Sequence, residues 1–194
     1  RKSVHLGWSD LPLKTKVENA TGVPVIVGND TNAALVAERF FGDCSPNSML
    51  ISIGRGVGAA LCLNDVIIEG SSFTAGEIAH VVVDPNGPIC KCGKQGCLES
   101  FVSGDRLQQR ISQDPAARTH ILTEAGGAPE IVNTQFIDAM ENEISRTVTT
   151  DYQEAPQIHR CRQGEDLTLR GQATIVIRTL VPTIHERGSL IGEA

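Results

Sequence analysis

Four side chains able to hold a soft divalent metal fall in one short stretch: His80, Cys90, Cys92 and Cys97. The cysteines follow a C-x-C-x4-C spacing, and the histidine stands ten residues before the first of them. Three thiolates and one imidazole make a complete tetrahedral zinc set that leaves no position for water, which is the pattern of a structural metal rather than a catalytic one. Gly93 and Gly96 lie between the second and third cysteines, where positive φ lets the backbone fold the sulfurs around one point. Disulfides fit poorly, because a C-x-C pair closes too small a ring and three cysteines cannot make two bridges. The alternative is a flexible glycine–cysteine loop with idle thiols, but ligand types and turn residues in register favour the metal.

A closed metal loop would also fix polar groups beside it. Glu77 stands three residues before His80, so one helical turn puts both on one face, and Glu99 follows Cys97 by two. Two carboxylates and an imidazole held together can bond several hydroxyls at once, which suits a polyol or a sugar. A second polar cluster, Gly28-Asn29-Asp30-Thr31-Asn32, separates an apolar run from a helical segment. In α/β proteins ligands bind where a strand ends and a helix begins. Asp30 or Thr31 could instead simply cap the helix. A third feature is Gly54-Arg55-Gly56-Val57-Gly58. Its glycines allow the close backbone approach of a phosphate loop, yet a tight hairpin explains them equally well, and both readings stand. It is not the dinucleotide fingerprint, because it leads into a strand.

These groups need elements to position them. The pattern predicts a helix over Leu13–Ala20 stopped by Gly22, with Trp8 before it as a packing anchor. Pro24–Val27 reads as a buried strand and Ala33–Phe41 as a helix ended by Gly42. Strands follow over Met49–Ile53, Val57–Leu63 and Val66–Ile68, the last two joined by an Asn64-Asp65 hairpin turn. Later helices are expected over Phe101–Ile111, Thr134–Val148 and Gln172–Ile191, the last kinked at Pro182. Between them an irregular segment is expected near 151–170. His120, His159 and His185 have no partners at ligand spacing and read as surface or packing residues.

The 194 residues suffice for one large domain or two small ones. A net charge of −6 without a basic run argues against the chain itself gripping nucleic acid or an anionic membrane. No apolar run reaches the roughly eighteen residues of a membrane span, and Arg1-Lys2-Ser3 is not followed by the apolar core of a signal peptide. Cys44, Cys62 and Cys161 are scattered, which fits reduced thiols and a cytoplasmic location. The start at Arg1 and the unfinished helix at Gly192-Glu193-Ala194 lead us to expect a piece of a longer protein.

The motifs, taken in order, resemble the ROK family of bacterial sugar kinases and sugar-responsive repressors. They are Pro24-Val-x-Val-x-Asn29-Asp30-x-Asn32-Ala33-Ala34, the Gly54–Gly58 loop, Ala75-Gly76-Glu77-Ile78-x-His80, and Cys90-x-Cys92-Gly93-x-x-Gly96-Cys97-Leu98-Glu99. The match is best over about residues 1–105 and looser over the helical 106–194, so the chain reads as one ROK domain. The resemblance implies an actin-like, ribonuclease H-like α/β fold, a mixed sheet flanked by helices with a zinc loop. It implies zinc on His80, Cys90, Cys92 and Cys97, and sugar contacts from Asn29, Asp30, Ser72, Glu77, His80 and Glu99. In kinase members the residue matching Asp30 is the general base, within hydrogen-bond reach of the hydroxyl that attacks ATP. Gly54, Arg55, Gly56 and Gly58 would then face the phosphates of ATP and Mg2+.

This sequence departs from the kinase pattern in several places. The family's Asp-x-Gly-Gly-Thr phosphate loop and its later glycine-rich nucleotide motif are absent, which a truncation explains. Arg55 stands where kinases of the family carry threonine, and Gly-Arg-Gly-Val-Gly resembles the repressor members more. Ser72 stands where sugar kinases often have asparagine. Three readings follow. The first is the sugar-sensing domain of a transcriptional regulator, forming a homodimer or tetramer and reaching DNA only through a separate N-terminal domain. The second is an ATP-dependent sugar kinase of glucokinase or N-acetylhexosamine kinase type. The third is a zinc-stabilised scaffold with a dead pocket.

Overall fold

The computed structural model describes residues 2–3, 6–42, 44–54, 56–106, 109, 138, 141–142, 158 and 167–180. Its centre is a three-stranded antiparallel sheet in sequence order, β3 (Ser48–Ile53), β4 (Val57–Leu63) and β5 (Val66–Ile68). A small ribbon, β1 (Lys2–Ser3) with β2 (Trp8–Ser9), precedes it. The helices are α1 (Leu13–Thr21), α2 (Asp30–Phe41), the single turn α3 (Glu99–Val102) and α4 (Leu167–Leu180).

Strand β4 is apolar because both of its faces are covered. Ala60 and Cys62 join Ala34, Leu35 and Leu50 in one buried cluster, so this face of β4 meets α2. Successive residues point to opposite sides of a strand. Val57 and Ala59 therefore belong to the other face, and they are buried too, where β4 adjoins a 3₁₀ turn at Ile78–His80. Asn64 and Asp65 close the β4–β5 hairpin with φ of 49° and 68°, the left-handed pair of a type I′ turn. The Asp65 carboxylate accepts from the buried Arg39 guanidinium, which ties that turn to α2. Helix α4 crosses α2 at a glycine: a Cβ on Gly171 would overlap the Ala33 carbonyl. Ala33 and Ala37 are fully buried at this crossing.

Several expectations need correction. Pro24–Val27 lies in no strand among the described residues, and Ile26 and Val27 are about half exposed. A strand needs a neighbour for its N–H groups. Here the Val25 N–H goes instead to the Glu18 carboxylate at the end of α1. Trp8 is not an anchor; it lies in the ribbon, 42% exposed. The described strands pair only antiparallel, so the expected mixed sheet is not seen among them. The helix expected over Phe101–Ile111 starts at Glu99 and is broken at Ser103, whose ψ of 149° is extended; residues 104–106 and 109 are helical again beyond it. Helix α4 begins at Leu167, so residues 167–170 are helical rather than irregular. Within the expected 134–148 helix, Asp138, Glu141 and Asn142 are helical and its other residues lie outside the described set. So do Arg55, His120, His159, Cys161, Pro182 and His185.

Candidate metal centre and ligand site

His80 and the three cysteines come together. Their ligand atoms all lie within 4.8 Å of one another. Cys90 Sγ is 3.7 Å from His80 Nδ1, and Cys92 Sγ is 3.7 Å from Cys97 Sγ. Zinc is the reference metal for this donor set, with bonds of about 2.3 Å to sulfur and about 2.0 Å to nitrogen. Tetrahedral angles then put two sulfurs about 3.8 Å apart, and a sulfur and a nitrogen about 3.5 Å apart. The observed pairs match that spacing, so the residues fit a four-coordinate metal. Cys90 and Cys97 are buried, and Cys92 and His80 half-buried.

Backbone bonds build this cage. Val83 N–H donates to Gly96 O at 2.9 Å and Leu98 N–H to Val81 O at 2.9 Å, pairing 81–83 with 96–98. Gly96 N–H donates to Pro88 O and Cys90 N–H to Lys94 O, both at 2.8 Å, which folds 88–96 back on itself. Gly96 has φ of 73°, and a Cβ there would overlap the Asp84 carbonyl, so glycine is required on two counts. Two of the thiols are shifted in opposite directions. Burial pushes Cys97 up to about 11, helped by hydrogen bonds and charge from Cys92 and Cys90. Burial also raises Cys92, but the Lys94 N–H, the neighbouring thiols and the Lys94 charge outweigh it and leave that thiol below its ordinary value. A divalent cation reverses the repulsion among thiolates. His80 presents Nδ1 to the sulfurs. Its Nε2 would then carry the proton.

Three candidate segments converge on the first residues of β4. Thr31, at the start of α2, packs against Gly58, where a Cβ would overlap Thr31 Oγ1. The segment leading to Glu77 passes behind Ala59, whose carbonyl a Cβ on Gly76 would overlap. The buried Glu99 carboxylate accepts the Val57 N–H at 3.1 Å. The loop at Gly54–Gly58 is itself a tight hairpin, with Ile53 opposite Val57 and Gly54 N–H donating to Gly56 O at 2.9 Å.

The cap of α2 is Asn29, whose Oδ1 accepts the Asn32 N–H at 3.0 Å, rather than Asp30 or Thr31. Asp30 is exposed, and its Oδ1 accepts the Thr31 N–H at 2.8 Å. Ser72 lies on an exposed loop, where its hydroxyl pairs with Thr74 at 2.8 Å, and no hydrogen bond ties its side chain to the other candidates among the described residues. The sequence reading missed Gln172, whose carboxamide lies 3.9 Å from where a Cβ on Gly28 would stand. The signal was Gly171 beside it, since a glycine inside a helical pattern marks a close approach. It also missed Gly104, whose N–H donates to Gly54 O at 2.7 Å.

The ROK family profile matches residues 2–155, so the chain belongs to the ROK family. It is 46% identical over 104 residues to a glucokinase of Halalkalibacterium halodurans, covering 52% of this chain and 32% of that protein. It is 36% identical over 106 residues to the xylose repressor of Bacillus subtilis, covering 54% and 28%. A glucokinase of Streptomyces coelicolor is 31% identical over 156 residues, covering 77% and 49%. The chain thus spans at most about half the length of these curated relatives. Among solved structures, a ROK family glucokinase from Streptomyces griseus in complex with glucose and AMPPNP superposes with a TM-score of 0.73 at 23% identity, over 90% of this chain and 75% of that one. A ROK hexokinase from Thermus thermophilus gives 0.67 at 26%, over 88% and 72%. The fold is therefore that of the ROK sugar kinases, the actin-like α/β class. No helix among the described residues is long and apolar enough to cross a membrane.

Proposed function

We propose that this chain is the sugar-binding domain of a ROK-family transcriptional regulator, one domain over 1–194, braced by a structural zinc on His80, Cys90, Cys92 and Cys97. The observation that carries sugar binding is the convergence of Thr31, Gly76 and Glu99 on residues 57–59 of β4. That convergence gathers the segments bearing Asn29, Asp30, Glu77, His80 and Glu99. The donor set is mixed, with carboxylates to accept from hydroxyls and amide and imidazole N–H groups to donate, as a monosaccharide requires. Sugar occupancy would shift an equilibrium between two arrangements and so alter DNA affinity in a separate domain. Homodimers or tetramers and a cytoplasmic location belong to the same reading.

Arg55 favours the regulator. The Gly54–Gly56 bond closes the hairpin tightly. A threonine hydroxyl fits there against a phosphate oxygen, whereas a guanidinium needs room and makes a different contact. The second reading is an ATP-dependent sugar kinase using Mg2+, with Asp30 as general base. It is favoured by the exposed Asp30 carboxylate at the mouth of α2 and by the glucokinase relatives. Calorimetry of the intact protein with glucose, xylose and N-acetylmannosamine, paired with an ADP-release assay, separates the two. Sugar binding without ADP release is expected; ADP release on adding one of the sugars would overturn the regulator in favour of the kinase.

A further inference from the structure

We propose that Glu99 is a positioning residue for the glycine hairpin, and that the Glu99–Gly104 segment couples the thiol–imidazole centre to that hairpin. A G-x-G-x-G turn has little shape of its own, because each glycine loses more conformational freedom on ordering than any other residue. Here it is fastened at both ends by one short segment. Glu99 Oε2 takes the Val57 N–H at 3.1 Å on its β4 side. Gly104 N–H gives 2.7 Å to Gly54 O on its β3 side. Glu99 is 5% exposed, so its bond to Val57 is made away from water. A carboxylate accepting from an amide in such a place is among the stronger hydrogen bonds.

The same segment is rooted in the centre. Glu99 follows Cys97 by two residues, and Ser100 N–H donates to Cys97 O at 2.9 Å. Leu98 N–H donates to Val81 O at 2.9 Å, next to His80. Rearranging Cys97 therefore moves Glu99, and moving Glu99 releases Val57. The inference rests on the sugar-binding reading in one respect only: a hydroxyl that reaches Glu99 meets a carboxylate already engaged with the hairpin, so the hairpin is where occupancy registers.

Two substitutions separate positioning from folding and from ligand contact. Glu99→Gln keeps an acceptor of the same length for Val57 N–H but removes the negative charge, whereas Glu99→Ala removes the acceptor. Gly104→Pro breaks the other anchor: Ser103 before it has backbone angles that suit a following proline, but the ring Cδ takes the place of the hydrogen aimed at Gly54 O 2.7 Å away, so the hairpin must move off. Gly104 opens a helical stretch whose preceding residue, Ser103, has φ of −67° and ψ of 149° and accepts the Arg106 N–H on its hydroxyl. Amide hydrogen exchange on the intact protein reads the hairpin directly. Glu99→Ala and Gly104→Pro should each speed exchange over 54–58 by about tenfold or more, with amides at the middle of β4 unchanged. Glu99→Gln should restore protection to within about threefold of wild type. Cys92→Ser, which perturbs the centre whether or not it holds metal, should speed the same amides. Metal content measured on the same samples tells a failure of the zinc reading from a failure of the coupling. Unchanged hairpin exchange in Glu99→Ala and Gly104→Pro, or no rescue by Gln, overturns the positioning role. An unchanged hairpin in Cys92→Ser overturns the coupling.

Discussion

Gly58 offers a quantitative test of how the site is assembled. An alanine methyl there would overlap Thr31 Oγ1 and lie 3.4 Å from Thr31 Cβ and 3.5 Å from Cγ2. Thr31 is 8% exposed in the first turn of α2, so it has little room to give. Gly58 is not among the positive-φ glycines, so alanine brings no backbone strain and the effect is one of packing. Overpacking of this kind costs about 1–3 kcal/mol. Replacing a strand glycine with alanine returns about 0.5–1 kcal/mol. Gly58→Ala should therefore destabilise by up to about 2.5 kcal/mol and push the Asn29–Asp30 loop away from β4. Thr31→Ala removes Oγ1 and Cγ2 and leaves only a Cβ at 3.4 Å. In that background Gly58→Ala should be neutral or slightly stabilising, a coupling of about 1–2 kcal/mol. Urea unfolding of the four proteins gives the cycle, and sugar calorimetry shows whether affinity follows it. Additivity within about 0.5 kcal/mol would refute the packing argument and return Gly58 to the role of a close-approach residue for a ligand.

Three further outcomes are expected. Cys92→Ser removes one ligand, so the melting temperature should fall by at least about 5 °C and sugar affinity should drop with it; equal melting with and without chelator in the wild type would count against a structural metal. Asp30→Asn should cut any phosphoryl transfer by about 10²–10⁴-fold while leaving sugar affinity within about tenfold, read by ADP release and calorimetry; a transfer rate within a few-fold of wild type would remove Asp30 as the base. Burial pushes the Cys62 thiol above its ordinary value, with the Arg39 charge offsetting part of it, and burial followed by the Glu38 charge does the same to Cys44. Both should hold little thiolate at about pH 8 and alkylate with iodoacetamide far more slowly folded than in urea, as followed by mass spectrometry; modification at the rate of a free thiol would contradict the burial seen for Cys62.

What could be read from the sequence was what local chemistry decides. Asn64-Asp65 between apolar runs specified a hairpin because few residues accept two left-handed positions in succession, and the structure has it. The strand edges at Val57 and Leu63 and the helix end at Phe41 before Gly42 followed from the same punctuation, whereas that helix starts at Asp30, three residues before the expected Ala33. The four ligand types at 80, 90, 92 and 97 announced their own convergence, since little else explains that spacing. What failed depended on partners distant in the chain. Val25–Val27 carries a strand-like apolar pattern, but no strand pairs with it among the described residues, and the Val25 N–H goes to Glu18. Trp8 looked like an anchor on composition alone, while its ribbon leaves it 42% exposed. Gly171 against Ala33, Gly58 against Thr31 and Glu99 on Val57 are all long-range contacts. No periodicity foretells them, and they are what gathers the site.

X-ray absorption at the zinc edge of the intact, reduced protein tests the central claim most directly. We expect about one zinc per chain, with three sulfurs at about 2.3 Å and one nitrogen at about 2.0 Å, and no added oxygen shell. A protein that folds fully with no bound metal, or a metal whose shell lacks the three sulfurs, would contradict it.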